Sequence, residues 1–237
     1  AFANERRVFS SEDVIKEAEL MKAKGVGITG GDPLVKIDRT VRFITKLKKH
    51  FGKQFHAHLY TSLRLVNDDL LQKLYMAGLD EIRFHLDLES ESFWNKLAVA
   101  RKFPWQVGVE VPLIPGKEKE MKKLINHVHD KVDFLNLNEL EVADNSCSKL
   151  LEMGFKVKDE MSYAVKDSLE LGLKLMEYAE EKEYDLAVHV CTAKLKDATQ
   201  LSERIKREAK YSHKDFDIVD KEGMLTRGAL YLDSLKP

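Results

Sequence analysis

The chain has 237 residues, and its 39 basic and 40 acidic residues give a formal net charge of -1. Such a length can bury one large core, and the interspersed charges predict neither a basic nucleic-acid-binding face nor a disordered acidic tail. No apolar run approaches the roughly 20 residues of a membrane helix and no signal-peptide pattern opens the chain, so we predict a soluble, cytoplasmic protein.

Sequence patterns in chain order predict a repeat of strand then helix. Ser10 and Asp13 form a capping box ahead of a first amphipathic helix that Gly25 ends, and Asn67 begins a later helix that Gly78 ends. Candidate strands alternate with the helices at intervals that fit one βα unit. The strands begin near Val26, Phe55, Glu81, Val107 and Val132, and a later one covers residues 185–191.

Two stretches depart from this rhythm. Residues 146–182 are helix-rich in pattern, and residues 211–237 show no clear period. We therefore predict one α/β domain over residues 1–210 and a carboxyl-terminal extension over residues 211–237. Right-handed βα repeats of this kind predict a partial, open barrel of about six parallel strands with helices outside.

The strands predict a polar lumen. In residues 81–87, the apolar Ile82, Phe84 and Leu86 alternate with polar side chains, and the other strands divide in the same way. The residues on the polar face are His58, Tyr60, Arg83, His85, Asp87, Glu110, Asn136, Asn138 and His189. Burying polar groups without partners costs about 1 to 3 kcal/mol each, so a ligand, water or mutual pairing must satisfy them. An open sheet with one wet face is the alternative, but parallel sheets are usually covered on both faces.

A turn with two glycines follows the first of these strands. In Gly30-Gly31-Asp32-Pro33-Leu34, the paired glycines allow a ligand to contact bare main chain, and Pro33 fixes φ at the start of the next element. Asp32 is thereby placed at the carboxyl end of a strand, where α/β folds carry their chemistry. The turn has neither the third glycine of dinucleotide folds nor the lysine of a phosphate loop.

This turn, followed by βα units around a polar interior, resembles the radical S-adenosylmethionine (SAM) superfamily. Residues 3–6, 191–194, 196–198 and 200–201 are similar to archaeal relatives of pyruvate formate-lyase activating enzymes in that superfamily. The resemblance implies SAM and a [4Fe-4S] cluster as cofactors, reductive cleavage of SAM to a 5'-deoxyadenosyl radical, and hydrogen abstraction from an unknown small-molecule or protein substrate. It also implies an electron donor such as ferredoxin or flavodoxin.

The resemblance further implies a set of SAM-binding residues. These are Gly30, Gly31 and Asp32 for the methionyl amino group, His85 or Asp87 for the ribose, and Glu110 and Asn136 for the adenosyl group. Because Asp32 would face the opening of the barrel, we expect Asp32→Ala to weaken SAM binding with little effect on stability.

The superfamily's three-cysteine loop, CxxxCxxC, is absent from this sequence. We expect the loop upstream of Ala1, in which case this segment alone has no activity and binds SAM weakly at best. The alternative is a non-catalytic protein of the same fold that retains only a binding pocket. The two cysteines cannot replace the loop: Cys147 is predicted to be a core residue, and whether Cys191 faces the site stays open.

Two histidines permit a different function. His56 and His58 alternate on one strand face, as metal ligands of barrel hydrolases do, and His189 or Asp87 could complete such a set. A metal-dependent hydrolase is therefore the alternative from another class of enzyme.

Overall fold

A computed structural model describes residues 1–4, 6–143, 148–159 and 162–230; Cys147 lies outside these ranges. The chain divides into two compact units, Lys24–Ala193 and the combination of Ala1–Ala23 with Lys194–Pro237. The predicted boundary between residues 210 and 211 stays a prediction.

The elements follow in chain order. The smaller unit begins with β1 (Phe2–Ala3), β2 (Arg6–Arg7) and α1 (Ser11–Leu20). The larger unit contains β3 (Gly25–Ile28), α2 (Ile37–Phe51), β4 (His56–Ser62), α3 (Asp68–Ala77), β5 (Glu81–His85), α4 (Leu97–Ala100), β6 (Gln106–Leu113), α5 (Glu118–Val128), β7 (Phe134–Glu139), α6 (Ser168–Glu181) and β8 (Ala187–Cys191). The chain continues with α7 (Ala193–Leu195), a π-helical turn (Lys196–Leu201), α8 (Ser202–Ser212), β9 (Ile218–Val219) and β10 (Leu225–Thr226).

Six parallel strands form the sheet of the larger unit, in the order β3-β4-β5-β6-β7-β8. Strand order equals chain order, so each connection crosses to the neighbouring strand, as in a βα barrel. Strands β3 and β8 are the two edges of this sheet. The predicted α/β fold, a partial and open barrel of parallel strands with outer helices, is confirmed.

The two faces of the sheet differ as the alternation predicts. Along β4 the burial alternates strictly, with Ala57 and Leu59 fully buried and the intervening side chains half-buried. Leucine, isoleucine and methionine side chains of α2, α3, α5 and α6 cover the apolar face and complete the core. Trp94 and Trp105 are buried in this core, where they act as packing residues.

Local signals account for the start of α1 and for both ends of α3. The Ser10–Asp13 capping box is present, and Asn67 accepts a hydrogen bond from the Leu70 amide at the start of α3. Gly78 ends α3 in the left-handed region, at φ +95°. The prediction for Gly25 was wrong, because α1 already ends at Leu20 and Gly25 is the first residue of β3.

The predicted helix-rich segment over residues 146–182 is helical only in α6 as far as the structure describes it. Before α6, turns span residues 150–154, and two antiparallel bridges join Glu141 to Ala164 and Val157 to Val165. Ser168 anchors the start of α6, since its buried hydroxyl donates to the Leu113 carbonyl and accepts from the Leu140 amide, each at 2.8 Å.

The smaller unit is held by a group of ion pairs. Arg6 contacts Glu17 at 3.1 Å and Glu208 at 2.9 Å, which connects β2 to α1 and to α8. The hairpin of β9 and β10 pairs antiparallel. No helix within the described ranges combines the length and apolar character needed to cross a bilayer.

Candidate functional site at the carboxyl ends of the strands

A cavity of about 430 Å³ lies at the carboxyl ends of the central strands. Its lining residues are Thr29, Gly30, Gly31, Asp32, Tyr60, Thr61, Ser62, His85, Glu110, Val111, Pro112 and Asn138. The structure therefore brings five of the seven predicted SAM-binding residues to one cavity. The other two, Asp87 and Asn136, do not line it.

A second cavity of about 430 Å³ adjoins the first, with Ser62, His85 and Pro112 as shared walls, and Asp87 lines it. A larger groove of about 770 Å³ lies elsewhere, against α5, and is lined mainly by lysines and glutamates of the surface. We assign the site to the first cavity because it alone of these three contains the double-glycine turn at a strand end.

The Gly30-Gly31 turn presents bare main chain to the cavity. Gly30 has φ +112°, a conformation that favours glycine, and a Cβ atom at either position would meet nothing within 4 Å. Within the described ranges, no backbone amide outside the regular strands donates to either glycine carbonyl. These two carbonyl oxygens are therefore acceptors that a ligand can use.

Asp32 fastens this turn to the end of β4. Its carboxylate accepts hydrogen bonds from the Thr61 hydroxyl at 2.6 Å, the Ser62 hydroxyl at 2.8 Å, the Leu34 amide at 3.0 Å and the Ser62 amide at 3.2 Å. A carboxylate has about four lone-pair sites, so these donors occupy its usual capacity. Asp32 lines the cavity as expected, but the expectation that its loss has little effect on stability needs correction, because four donors would lose this acceptor.

Arg83 forms the centre of a charged network below the cavity. Its guanidinium donates to the Glu81 carboxylate through Nε, and its Nη1 atom lies 2.9 Å from both Tyr60 Oη and Glu110 Oε2. The guanidinium also lies over the rings of Tyr60 and Phe134, at 5.3 and 5.4 Å from their centroids. Two carboxylates and two aromatic rings therefore hold this cation in one orientation.

Two glycines make room for this network. A Cβ atom on Gly108 would collide with the Phe134 ring, and one on Gly27 would lie 2.6 Å from the imidazole of His58. In both places the absence of a side chain leaves space that the ring of a neighbouring strand occupies.

Glu110 connects the network to the cavity. Besides Arg83, its carboxylate accepts from the amides of Asn138 at 2.9 Å and Asn136 at 3.1 Å. Burial alone would raise the pKa of Glu110, but the hydrogen bonds from Asn138, Asn136 and Arg83 outweigh burial and lower the pKa. Because an ionised carboxylate only accepts, Asn138 must turn its NH2 group toward Glu110, which leaves its carbonyl oxygen for the cavity.

The two strand histidines do not assemble a metal site. His56 Nε2 lies 3.1 Å from Glu81, while His58 Nδ1 is buried without a hydrogen-bond partner. Burial, with a further contribution from the charge of Arg83, lowers the pKa of His58. Across the described ranges, no group of three or more histidine, cysteine, aspartate or glutamate side chains could hold a metal ion. Of the proposed further ligands, His189 is exposed on edge strand β8, and Asp87 follows the carboxyl end of β5.

The remaining predicted residues lie at or just after the carboxyl ends of β5 and β8. His85 is exposed at the end of β5, where both cavities meet, and the exposed Asp87 accepts from the Glu89 amide at 2.9 Å. Cys191 pairs in register with Asn138, so it lies on the same face of the sheet. It is not among the residues that line the cavity.

Thr61 and Ser62 are site residues that no sequence pattern predicted, and Asn138 is a third for which no role was predicted. The alternation along the strands already placed Tyr60 and Asn138 on the lumen face. A signal for Thr61 and Ser62 was their position at the end of β4, next to the strand that carries the double-glycine turn.

Solved structures share this fold. A mandelate racemase/muconate lactonizing enzyme from Polaromonas sp. JS666 aligns with 82% of this chain and 46% of its own, at 14% identity and a TM-score of 0.50. HydG, a maturase of the [FeFe]-hydrogenase, aligns with 81% of this chain and 51% of its own, at 15% identity and the same TM-score. At such identities, these likenesses show a barrel-like α/β fold and no more.

Sequence comparison is more specific. No protein-family model matches the chain. A curated protein of Methanocaldococcus jannaschii, which has the provisional name of a glycyl-radical enzyme activating enzyme, is 41% identical over 242 residues. The alignment covers 98% of this chain and 64% of that relative. The chain is thus related, over nearly all of its length, to a protein named as an activating enzyme, which confirms the recognition drawn from its sequence.

Proposed function

We propose that this chain is the SAM-binding barrel of a radical SAM enzyme related to glycyl-radical enzyme activating enzymes. The observation that carries the proposal is the Gly30-Gly31 turn, which lines a cavity at the strand ends and whose carbonyls accept no backbone hydrogen bond outside the regular strands of the described ranges. When bound, SAM supplies the chemistry of hydrogen abstraction after its reductive cleavage, and the protein's contribution is to position and shelter it.

The donors and acceptors of the cavity fit SAM. The ammonium of its methionyl part needs acceptors and a nearby negative charge, which the carbonyls of Gly30 and Gly31 and the carboxylate of Asp32 supply. Asp32 acts in this proposal by holding the turn and by its charge, since its oxygens already accept four hydrogen bonds.

The ribose and adenosyl parts are assigned to the opposite wall. We propose that His85 contacts the ribose, with Asp87 as the residue that extends this contact into the adjoining cavity. Glu110 and Asn136 then act through the network below, and Asn138 offers the acceptor oxygen that Glu110 orients. Each of these roles is a proposal.

The residues present do not fit a [4Fe-4S] cluster. The sequence contains two cysteines and no CxxxCxxC motif. The residues of this chain therefore cannot hold such a cluster by themselves. A protein substrate, an electron donor such as ferredoxin or flavodoxin, and a cytoplasmic location are likewise parts of the proposal.

The test is SAM binding by a variant that fills the turn. Gly31 has an open side toward which a side chain can point, so Gly31→Val should keep the fold and reduce SAM affinity at least about tenfold, which is about 1.4 kcal/mol. Gly228→Val is the matched control, since a Cβ atom there also meets nothing within 4 Å. Calorimetry on the full-length protein, reconstituted with iron and sulfide, gives the affinities of wild type and both variants, and thermal unfolding shows that both variants fold.

Equal SAM affinity in wild type and Gly31→Val would contradict the proposed site. Formation of 5'-deoxyadenosine by the full-length protein, reconstituted with iron and sulfide, separates an enzyme from a non-catalytic binding protein. Zinc that is lost in His56→Ala would instead favour the hydrolase alternative.

A further inference from the structure

The solvent face of α2 carries a row of cations. Arg39, Arg42, Lys46 and Lys49 recur every third or fourth residue, and Lys53 continues the row past the end of the helix. Residues at this spacing share one side of a helix. The buried residues Thr40, Ile44 and Leu47 occupy the opposite side. We call the row formed by these five cations the basic face of α2.

Most of these cations are unpaired. Within the described ranges, the exposed side chains of Arg39, Arg42, Lys49 and Lys53 form no ion pair. Asp38, beside the face, pairs with Lys73 of α3 at 3.7 Å. The basic face departs from the even mixture of charges that the composition predicted.

Helix α5 provides the contrast. Its lysines alternate with glutamates, and Lys122 pairs with Glu118 at 2.7 Å. A surface that serves only solubility gains from such mixing, whereas a row of like charges three or four residues apart destabilises its own helix. Like charges in a row are favourable when a surface of opposite charge covers them.

The basic face begins beside the cavity. A short helical turn, Pro33–Lys36, connects the cavity-lining Asp32 to α2, and both Val35 and Lys36 are exposed on it. Val35 is 63% exposed and adds an apolar contact at this end. A protein that covers the first turns of α2 therefore lies next to the double-glycine turn.

We propose that the basic face of α2 is the docking surface for a protein with an acidic face, and that this partner is the electron donor of the proposed function. The identity of the partner rests on the proposed function, while the charge of its surface follows from α2 itself. Electron-transfer encounters are typically small, transient and steered by charge, which suits a single helix face with one exposed apolar residue.

The experiment measures binding of a purified acidic flavodoxin to the intact protein. The variant Arg39→Glu/Arg42→Glu/Lys49→Glu should weaken binding at least about tenfold, and binding by the wild type should fall as salt is raised from about 20 to 200 mM. The control Lys119→Glu/Lys174→Glu/Lys182→Glu reverses the same number of exposed charges, on α5, in the middle of α6 and just after the end of α6, and should change the affinity less than about twofold. Thermal unfolding confirms that both variants fold.

Three results would overturn the proposal. The first is an equal loss of flavodoxin affinity in the two triple variants. The second is that the wild type binds an acidic protein without a redox group as tightly as it binds flavodoxin. The third is that the α2 variant loses affinity for a short RNA but not for flavodoxin. SAM affinity is measured on the same samples. If the full-length protein, reconstituted with iron and sulfide, does not bind SAM, the proposed function fails, whereas a flavodoxin affinity unaffected by the α2 variant removes only the docking surface.

Discussion

The lower half of the lumen, around Arg83, and the upper half, at the cavity, differ in how their polar groups are satisfied. Below, Glu81, Arg83 and Glu110 satisfy one another, so the polar interior is largely closed by its own side chains. Above, Gly30 and Gly31 leave main-chain acceptors open to the cavity. The comparison indicates that mutual pairing accounts for the lower part of the polar lumen, and that a ligand has only the upper part available.

The largest expected effect is a loss of unfolding free energy when the charged network of the lower half is broken. Arg83→Met keeps most of the side-chain volume but leaves Glu81 and Glu110 without their shared cation. Removing one partner of a buried ion pair typically costs about 3 to 5 kcal/mol, and because a fifth of the Arg83 side chain is exposed we expect a loss of about 2 to 4 kcal/mol. Urea denaturation measures this loss.

Arg42→Met is the matched control, since Arg42 is exposed and forms no ion pair within the described part of the chain. We expect a change within about 0.5 kcal/mol for it. If the two variants lose the same stability, the network does not stabilise the lower half.

The next effect tests the border between the halves. Asp32→Ala removes the acceptor of four hydrogen bonds, and losing hydrogen bonds to a charged group costs about 1.5 to 3 kcal/mol. We therefore expect a loss of unfolding free energy in this range, together with a tenfold to hundredfold loss of SAM affinity, about 1.4 to 2.8 kcal/mol. Urea denaturation and calorimetry measure the two quantities.

Asp38→Ala, at a carboxylate whose side chain is 93% exposed, should change neither quantity appreciably. Lower affinity with unchanged stability would restore the simpler view that Asp32 only contacts the ligand. Lower stability with unchanged affinity would make Asp32 purely structural.

The smallest effect is a pH dependence of the lower half. His58 has a lowered pKa in the folded protein, so below about pH 6.5, its ordinary value, the unfolded chain takes up a proton that the folded chain does not. Stability should therefore begin to fall as the pH drops below this value. Glu110 also has a lowered pKa, and its stabilisation, complete above its ordinary value of 4.5, should be lost as the pH falls through the folded pKa.

His58→Gln should reduce the loss of stability below about pH 6.5 and retain the loss below about pH 4.5. Glu110→Gln should retain the first of these losses and reduce the second. Urea denaturation at a series of pH values between about 2 and 8 covers both losses. His127 also has a pKa lowered by burial, so part of the first loss should remain in His58→Gln. A pH profile that neither substitution alters would contradict these assignments.

Much of the fold follows from local pattern. The alternation over residues 81–87 predicted which side chains face the lumen, because successive side chains of a strand point to opposite faces whatever the strand's partners are. Each of the six strands starts within two residues of its predicted position. The double-glycine turn was also recognisable, since its backbone requirement is local.

What each polar side chain does was decided only by the tertiary structure. The register that sets Tyr60 beside Arg83 and Glu110 beside Asn136 joins residues far apart in the chain, and no periodicity encodes it. In that register the Glu110 carboxylate accepts hydrogen bonds from Arg83, Asn136 and Asn138. The side-chain carbonyl of Asn138 is left for the cavity. The Asp32 carboxylate likewise accepts hydrogen bonds from Thr61 and Ser62 of the neighbouring strand β4. The sequence alone thus determined the face on which a polar group lies, whereas its partner depended on how neighbouring strands are aligned.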